Sequence, residues 1–534
     1  MKFMHCYTRQ IFEKFYADGL WTNSTLLDAI ETHALTQPQR CAIVDRDNRL
    51  DYKTLQQAID QLAANLAQQG IGAGDIVAVQ LPNCVHLVLM MLSLLKLGAA
   101  YLPLNVAYRQ HDVSRIFQIA KPCMHVFPRK FKKTDYAALA RDAAQDLSNA
   151  PRAFAIDIDA PVEHLLTGDQ KIGSFQKADP DALFLLGCTS GSTGDPKLYA
   201  HTQNTQFNEA RILGQLFKVT SDDAFLVCFP MTHRGALMFG FLLSMVAGAK
   251  LVIHREYNAE AMVDVIDAEQ ISAFFVIPTQ ARELIEIARR KGSSCASIRL
   301  LMMAGAPVPP DLITLIKERW PSCFPITGYG TSESGYSTCV RLDDPPEKLQ
   351  SCGRASPGQE VCIDPMNRSK DGEGEILVKG SFLFAGYFAD QHQTTAAFSG
   401  DWFHTGDLGR ISPDGSLYIT GRLKNTINRG GLKIQAEEIE RIVLQHSAVS
   451  EAVAVGIPDE YLGERTVICV VPRTDCRFDN AMLISHLVER GVTKFKWPEF
   501  LVVCEELPRS SVGKQDRATL RRQIINMPLE KVMP

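Results

Sequence analysis

No apolar run in this 534-residue sequence is long enough to cross a membrane. The most apolar stretch, Leu87 to Leu95, meets Lys96 well short of the ~20 residues a spanning helix needs, and it predicts a buried helix instead. The opening segment MKFMHCYTRQIFEKFYADG has no apolar core of the kind a secretory leader carries. A cytoplasmic protein with no membrane span is the expectation. An excess of charge of one sign is also missing, with 56 Lys plus Arg against 60 Asp plus Glu, so a broad basic surface for nucleic acid is not expected. Fourteen cysteines are present, but no CxxC pair or regular spacing, so neither a zinc site nor a disulfide framework is expected. Internal repeats and low-complexity tracts are absent as well.

What is present is an alternation. Short aliphatic runs, CAIVD at 41–45, DIVAVQLP at 75–82, KLVIH at 250–254, FFVIP at 274–278 and IRLLMMAGAP at 298–307, alternate with segments of helical period such as Tyr52–Gln69 and Ala259–Ala268. That order predicts largely parallel sheets covered by helices on both faces, with ligands taken at the carboxyl ends of the strands. Between about 350 and 420, Gly, Pro and Asp punctuate short strands (GEILVKG, GSLYITG), which predicts an antiparallel, barrel-like subdomain. Beyond Gly421-Arg422 the pattern predicts a compact α+β unit: helices at Glu437–Gln445 and Asp479–Arg490, strands at Val449–Gly456, Arg465–Val471 and Phe500–Cys504. The expected division is 1–422 and 423–534. A chain this long exceeds what one core sustains.

Five segments carry chemistry. A short strand at 182–187 runs into Thr189-Ser190-Gly191-Ser192-Thr193-Gly194-Asp195-Pro196-Lys197. Glycines and small hydroxyl residues let backbone N–H and side-chain O–H groups close around phosphate oxygens, and Lys197 adds charge. The pattern is not the P-loop, because no Lys-Ser/Thr follows the second glycine; the competing reading is a flexible Ser/Gly linker. After a strand at Cys323–Thr327 comes Gly328-Tyr329-Gly330-Thr331-Ser332-Glu333, with an aromatic ring for a base, a hydroxyl for phosphate and a carboxylate for nucleotide-borne Mg²⁺. Trp402 to Asp407 (WFHTGD) offers a carboxylate for ribose hydroxyls. Gly421-Arg422-Leu423-Lys424 and the terminal Ser510-Ser511-Val512-Gly513-Lys514 complete the set.

In this order, over residues 25–522, the five segments resemble the adenylate-forming superfamily of acyl-CoA synthetases, aryl-acid–AMP ligases, peptide-synthetase adenylation domains and firefly luciferase. The resemblance implies a large N-terminal domain of two doubly wound α/β subdomains plus a β-barrel subdomain, and a small mobile α+β C-terminal domain. It implies an AMP-forming acid–thiol ligase: a carboxylate attacks the α-phosphate of ATP, releasing pyrophosphate, and a thiol then displaces AMP. With no enzyme nucleophile required, catalysis is positioning and charge neutralisation. Carried over by motif, Lys514 bridges the carboxylate and the α-phosphate, and Thr189, Ser190, Gly191, Ser192, Thr193, Gly194 and Lys197 hold the β/γ-phosphates. Thr331 and Glu333 serve the α-phosphate and Mg²⁺, with Gly330 between the motif residues. Asp407, supported by Arg422, takes the ribose, and Gly305, Ala306, Pro307 and Tyr329 enclose the adenine. Lys424 is the hinge, and Gly431 faces the pantetheine tunnel. Asn425 stands where the family commonly has Asp.

The acid is expected to be aryl or short- to medium-chain. FYADGLW at 15–21 and GVTKFKWP at 491–498 are similar to siderophore aryl-acid ligases such as 2,3-dihydroxybenzoate–AMP ligase, whereas YGTSES is closer to acyl-CoA synthetases. Gly328, His233 and Arg234 fall at acid-pocket positions. Aryl-acid ligases carry Asn where Arg234 stands, which speaks against 2,3-dihydroxybenzoate. A buried Arg234 needs an anionic partner, so an inward side chain suits an acid with a second anionic group, whereas an outward one says nothing. Met238, Phe239 and Phe241 line a pocket or fill core. About twenty residues follow Lys514, so the expected acceptor is external: coenzyme A, or the phosphopantetheine of a separate carrier protein. The rival readings are a nucleotide-binding relic without catalysis and a luciferase-like oxygenase.

Overall fold

The structure is a computed structural model that describes residues 7–167, 175, 177–190, 196–304, 308–429, 432–459, 462–492, 494–509, 514–525, 527–529 and 531–532. It falls into two compact units, residues 1–361 with 378–403, and residues 362–377 with 404–534. The boundary expected from sequence, at 422/423, lies inside the second unit.

Two seven-stranded sheets organise the first unit. One runs, in spatial order, Phe324–Ile326, Leu300–Met303, Ala273–Val276, Ala224–Val227, Lys250–Ile253, Cys41–Asp45 and Asn48–Asp51, parallel throughout except for the last pair. The other runs Gly386–Tyr387, Pro196–Thr202, Leu183–Ser190, Ala100–Pro103, Ile76–Val79, Met124–Pro128 and Arg152–Ile156. Its last five strands are parallel, and Pro196–Thr202 turns back antiparallel on Leu183–Ser190. Every residue of Ala224–Val227, Ala273–Val276 and Leu300–Met303 is buried, which is why these strands read as unbroken apolar runs rather than as alternation.

The intervening helices follow the sequence signals. Asp51 caps Tyr52–Gln68 by accepting from the Thr54 N–H at 2.7 Å, and Leu55, Ile59, Leu62 and Leu66 fall on its buried side. The run around Leu87–Leu95 is the helix Val85–Lys96, buried from Val85 to Leu95, as expected. From about 350 to 420, where antiparallel strands were expected, lie Gln359–Ile363, Gly374–Gly380 and the antiparallel pair Trp402–Ile411/Leu417–Arg422, preceded by a three-stranded antiparallel sheet (Gly328–Thr331, Gly335–Cys339, Arg354–Ala355). The mixed α/β fold itself is as read from the sequence.

In the second unit the hairpin Val449–Asp459/Gly463–Pro472 carries Phe500–Val503 parallel to its second strand. Helices Ala436–Val443, Asn480–Glu489 and Arg517–Ile525 accompany it. Its core is formed by Ile427, Ile434, Ile439, Val443, Ile468 and Leu483, among others. Among the described residues no helix is long and apolar enough to cross a membrane, and the cysteines are free thiols.

Candidate active site

The two ends of the Ser/Gly-rich segment lie on the antiparallel strands Leu183–Ser190 and Pro196–Thr202. Thr189 pairs with Lys197 and Ser190 with Pro196, so both ends of the segment are clamped in register. Gly191, Ser192, Thr193, Gly194 and Asp195 lie outside the described residues. The Lys197 ammonium sits over the Tyr387 ring, 5.3 Å from its centroid. The Tyr387 hydroxyl in turn donates to Glu333 Oε1 at 3.1 Å. Burial, reinforced by the Glu333 carboxylate, pushes the Tyr387 phenol well above its ordinary value and keeps it a donor. Two motifs separated by more than a hundred residues thus converge on one tyrosine.

Tyr329, Gly330 and Thr331 lie on the strand Gly328–Thr331. A Cβ at Gly330 would stand 2.0 Å from the Gly335 carbonyl oxygen, so only glycine fits there. Thr331 Oγ1 donates to Ser334 Oγ at 3.2 Å and accepts from the Ser334 N–H at 3.0 Å, which fixes the turn carrying Glu333. The turn is also held from outside itself. His201 Nε2 lies 2.9 Å from the Ser332 carbonyl, and burial keeps this imidazole neutral, so Nε2–H is the donor. The Phe384 N–H donates to the Glu333 carbonyl at 2.6 Å. His201, Tyr387 and Phe384 belong to no motif singled out in the sequence; no local signal marks them, because their role exists only through sheet pairing.

At the acid segment, His233 caps the helix Arg234–Ala236, accepting at Nδ1 from the Gly235 N–H at 3.2 Å. Its ring stacks on Phe275 at 6.1 Å and meets the edge of Phe229 at 5.1 Å. Phe239 stacks on Phe275 and packs edge-on against Tyr336 at 4.6 Å, while Met238 and Phe241 are buried core. The turns Leu237–Leu242 form a π-helix, a local widening frequent at functional sites. A Cβ at Gly328 would run into the Tyr336 ring, 2.4 Å from Cζ.

Arg234 is buried, but the anion it meets belongs to the chain. Its guanidinium forms a two-pronged contact with Glu209, Nη2 to Oε2 and Nη1 to Oε1 at 3.4 Å, with 8% and 0% of the two side chains exposed. Glu209 Oε1 also accepts from the Tyr336 N–H at 2.8 Å. Burial raises the Glu209 carboxyl above its ordinary value, and Arg234 opposes that shift. The condition that made Arg234 suit a second substrate anion is therefore met inside the protein. Glu209, in the helix Gln203–Leu216, was not singled out by the sequence; a helical glutamate is ordinarily a solvated one.

In the second unit, Asp407 and Arg422 face each other across the strand pair Trp402–Ile411/Leu417–Arg422, Nε to Oδ1 at 2.8 Å. The Asp407 side chain is 7% exposed and that of Arg422 48%. The turn before Asp407 is set by Thr405 Oγ1, which donates to Ile376 O at 2.7 Å, and by the Gly406 N–H donating to Glu375 Oε1 at 2.9 Å. Gly406 has φ +72°, left-handed backbone that favours glycine. Lys514 is within electrostatic reach of this pair. Desolvation by surrounding protein lowers its pKa below the ordinary lysine value, Arg422 and Lys424 lower it further, and Asp407 opposes them. Lys424 lies in the turn Leu423–Asn425, and Asn425 Nδ2 donates to Glu437 Oε1 at 2.5 Å. An amide is the better residue there, because an Asp would set two carboxylates together. Gly305, Ala306, Pro307 and Gly431 lie outside the described residues.

No group of three or more metal-ligating side chains occurs among the described residues. A single carboxylate, Glu333, beside a hydroxyl, Thr331, fits a cation that arrives on nucleotide phosphates and keeps most of its own ligands.

Two of these motifs follow the carboxyl ends of parallel strands, Leu183–Ser190 and Phe324–Ile326, where α/β sheets take ligands. The chain belongs to the AMP-binding enzyme family, which matches residues 30–388, and the family's C-terminal domain matches residues 438–514. It is 29% identical to 2,3-dihydroxybenzoate-AMP ligase of Bacillus subtilis (strain 168) over 96% of both chains. It is 27% identical to the medium-chain fatty-acid–CoA ligase of Escherichia coli (strain K12), over 98% of this chain and 95% of that one. Its fold superposes on ATP-bound MatB from Rhodopseudomonas palustris with a TM-score of 0.85, at 23% identity, covering 95% of this chain and 99% of the other. The protein is an AMP-forming acid–thiol ligase.

Proposed function

We propose that this ligase activates monocarboxylic acids with an uncharged aryl or short- to medium-chain tail, using the residue roles set out above. The observation that carries the reading is the junction of Lys197 and Glu333 on Tyr387. A phosphate-holding lysine and a phosphate- or cation-directed carboxylate are held together with no ion pair between them. Lys197 and the Thr189–Gly194 segment hold the outer phosphates, and Thr331 orients the α-phosphate. Asp407 and Arg422 take the ribose, and Tyr329 faces the adenine with Gly305–Pro307. Glu333 would hold the Mg²⁺ of the nucleotide, which when bound neutralises phosphate charge. Lys514 draws together the two anions that must meet, the acid's carboxylate and the α-phosphate. Rotation at Lys424 then exchanges Lys514 for the tunnel residue Gly431.

The tail preference follows from charge. Arg234 is already neutralised by Glu209, so a second substrate anion would share one guanidinium with a carboxylate that has no route to water. The neighbouring Phe229, Phe239 and Phe275 are apolar. A 2,3-dihydroxybenzoate-like acid loading a carrier protein is the alternative, supported by the relative's name and weakened by Arg234 at the Asn position.

Acid-dependent ATP–pyrophosphate exchange over aryl, short-chain, medium-chain and dicarboxylic acids tests this. Lys514→Ala is expected to lower exchange by about 10²–10³; a wild-type rate in that variant removes the role of the lysine. Because Lys514 must be cationic and its pKa is lowered, exchange should fall as pH rises through a value below the ordinary ~10.4. Residual activity in Lys514→Arg should extend to higher pH.

A further inference from the structure

An ion-pair cluster in the second unit is used by none of the roles above. Arg517, the first residue of the helix Arg517–Ile525, forms a two-pronged contact with Glu440 of the helix Ala436–Val443, Nη1 to Oε1 and Nη2 to Oε2, the latter at 2.7 Å. Arg517 Nη1 also donates to the Ala454 carbonyl at 2.8 Å, and Glu440 Oε1 accepts from the Ala454 N–H at 2.6 Å. Arginine and carboxylate thus grip the same residue of the strand Val449–Asp459. Arg517 Nη2 reaches Glu437 Oε1 at 3.4 Å, the atom that takes the Asn425 amide from the turn carrying Lys424.

What this cluster holds is the stem on which Lys514 stands. Lys514 precedes Arg517 by three residues, and the residues between them are fixed. Gln515 bridges with Arg509, and the Asp516 N–H donates to the Pro508 carbonyl at 2.8 Å. Asp516 Oδ1 accepts from the Thr519 N–H at 3.0 Å at the start of the helix. Those ties close the loop on itself without placing it on the sheet. Two arginines do that, both on the strand Val449–Asp459. Arg509 Nη2 donates to both Glu451 carboxylate oxygens at 2.7 Å, and Arg517 holds Ala454. The Arg509 tie is open to water, which weakens it, whereas Glu440 is buried and makes the Arg517 tie the shielded one. Docking of the helix is supplied separately by Leu520 and Ile524, which share a buried cluster with Val453 and Val455. Arg517 therefore sets where the helix begins rather than whether it packs.

We propose that Arg517 is a positioning residue for Lys514, holding the lysine in place for acyl-adenylate formation and taking no part in thiol transfer. The inference rests on the role given to Lys514 above. That role ends once the acyl-adenylate exists, so losing the lysine's placement should slow the first half-reaction alone. An arginine that served only the fold would impair both.

ATP–pyrophosphate exchange reads the first half-reaction. Thioester formation from preformed acyl-AMP, with coenzyme A and a phosphopantetheinylated carrier protein each offered, reads the second. In Arg517→Met the ratio of exchange to thiol transfer should fall by about 10²-fold, the scale expected for a displacement of ~1 Å. The ratio is internal to each protein, so a loss of folded fraction cancels. Where the stranded Glu440 carboxylate unfolds the unit, Arg517→Met/Glu440→Gln removes both charges and should show the same fall. A ratio that stays at the wild-type value, whether both rates hold or both drop, overturns the role. Lys514→Ala run alongside separates the failures. If that variant also keeps the wild-type ratio, the role of the lysine has failed; if it lowers the ratio and the Arg517 variants do not, only the inference on Arg517 has.

Discussion

The chain holds two arginine–carboxylate pairs at residues expected to serve substrates, and they differ in one respect. Arg234–Glu209 is closed off from water on both sides, whereas Arg422–Asp407 joins a buried carboxylate to a half-exposed guanidinium. A sealed pair has spent its charge on the fold, and it can shape a pocket but cannot bind an ion. A half-open pair keeps donors and acceptors for a ligand. Both arginines look alike in the sequence.

Breaking the sealed pair should give the largest effect. Arg234→Ala strands the Glu209 carboxylate and is expected to destabilise the first unit by about 3–5 kcal/mol, read from denaturant unfolding. Removing both charges in Glu209→Gln/Arg234→Met should recover most of that loss, since replacing a whole buried pair is often near neutral. If the single and double variants unfold alike, the pair is not the cause.

The half-open pair should respond differently. Arg422→Ala is expected to cost about 1–2 kcal/mol of stability, less than Arg234→Ala, because only the Asp407 end of the pair is buried and the guanidinium end already meets water. Its cost should appear as an ATP KM raised about tenfold in the exchange assay, the loss of one charge-assisted contact. A large fall in stability with unchanged KM would place Arg422 with Arg234. Smallest of all, Asn425→Asp sets a second carboxylate beside Glu437 and should cost a few tenths of a kcal/mol, relieved by salt. A salt-insensitive change would point to packing instead.

The legibility of the sequence followed the range of the forces involved. Buried parallel strands read as apolar runs, and the helix at Val85–Lys96 was legible because burial on all sides leaves no polar face. The motifs were legible because five of them occur in one order, although each alone has a bland reading such as a linker or a tight turn. Illegible were the residues that hold those motifs in place. Tyr387 acts on Glu333, His201 on Ser332 and Glu209 on Arg234 only because separate elements of the chain pair or pack together. Arg234 shows the limit best: its burial was foreseen as one of two cases, but its partner lies 25 positions away on another helix.

By itself, then, the sequence determined the fold class, which rests on periodicity, and the reaction class, which rests on motifs shared with a family. Tertiary structure decided which charges remain available. It spent Arg234 on Glu209 and left Arg422 half in water. Whether a charge can bind a ligand depends on what neutralises it and how far water is excluded, and both are properties of neighbours in space.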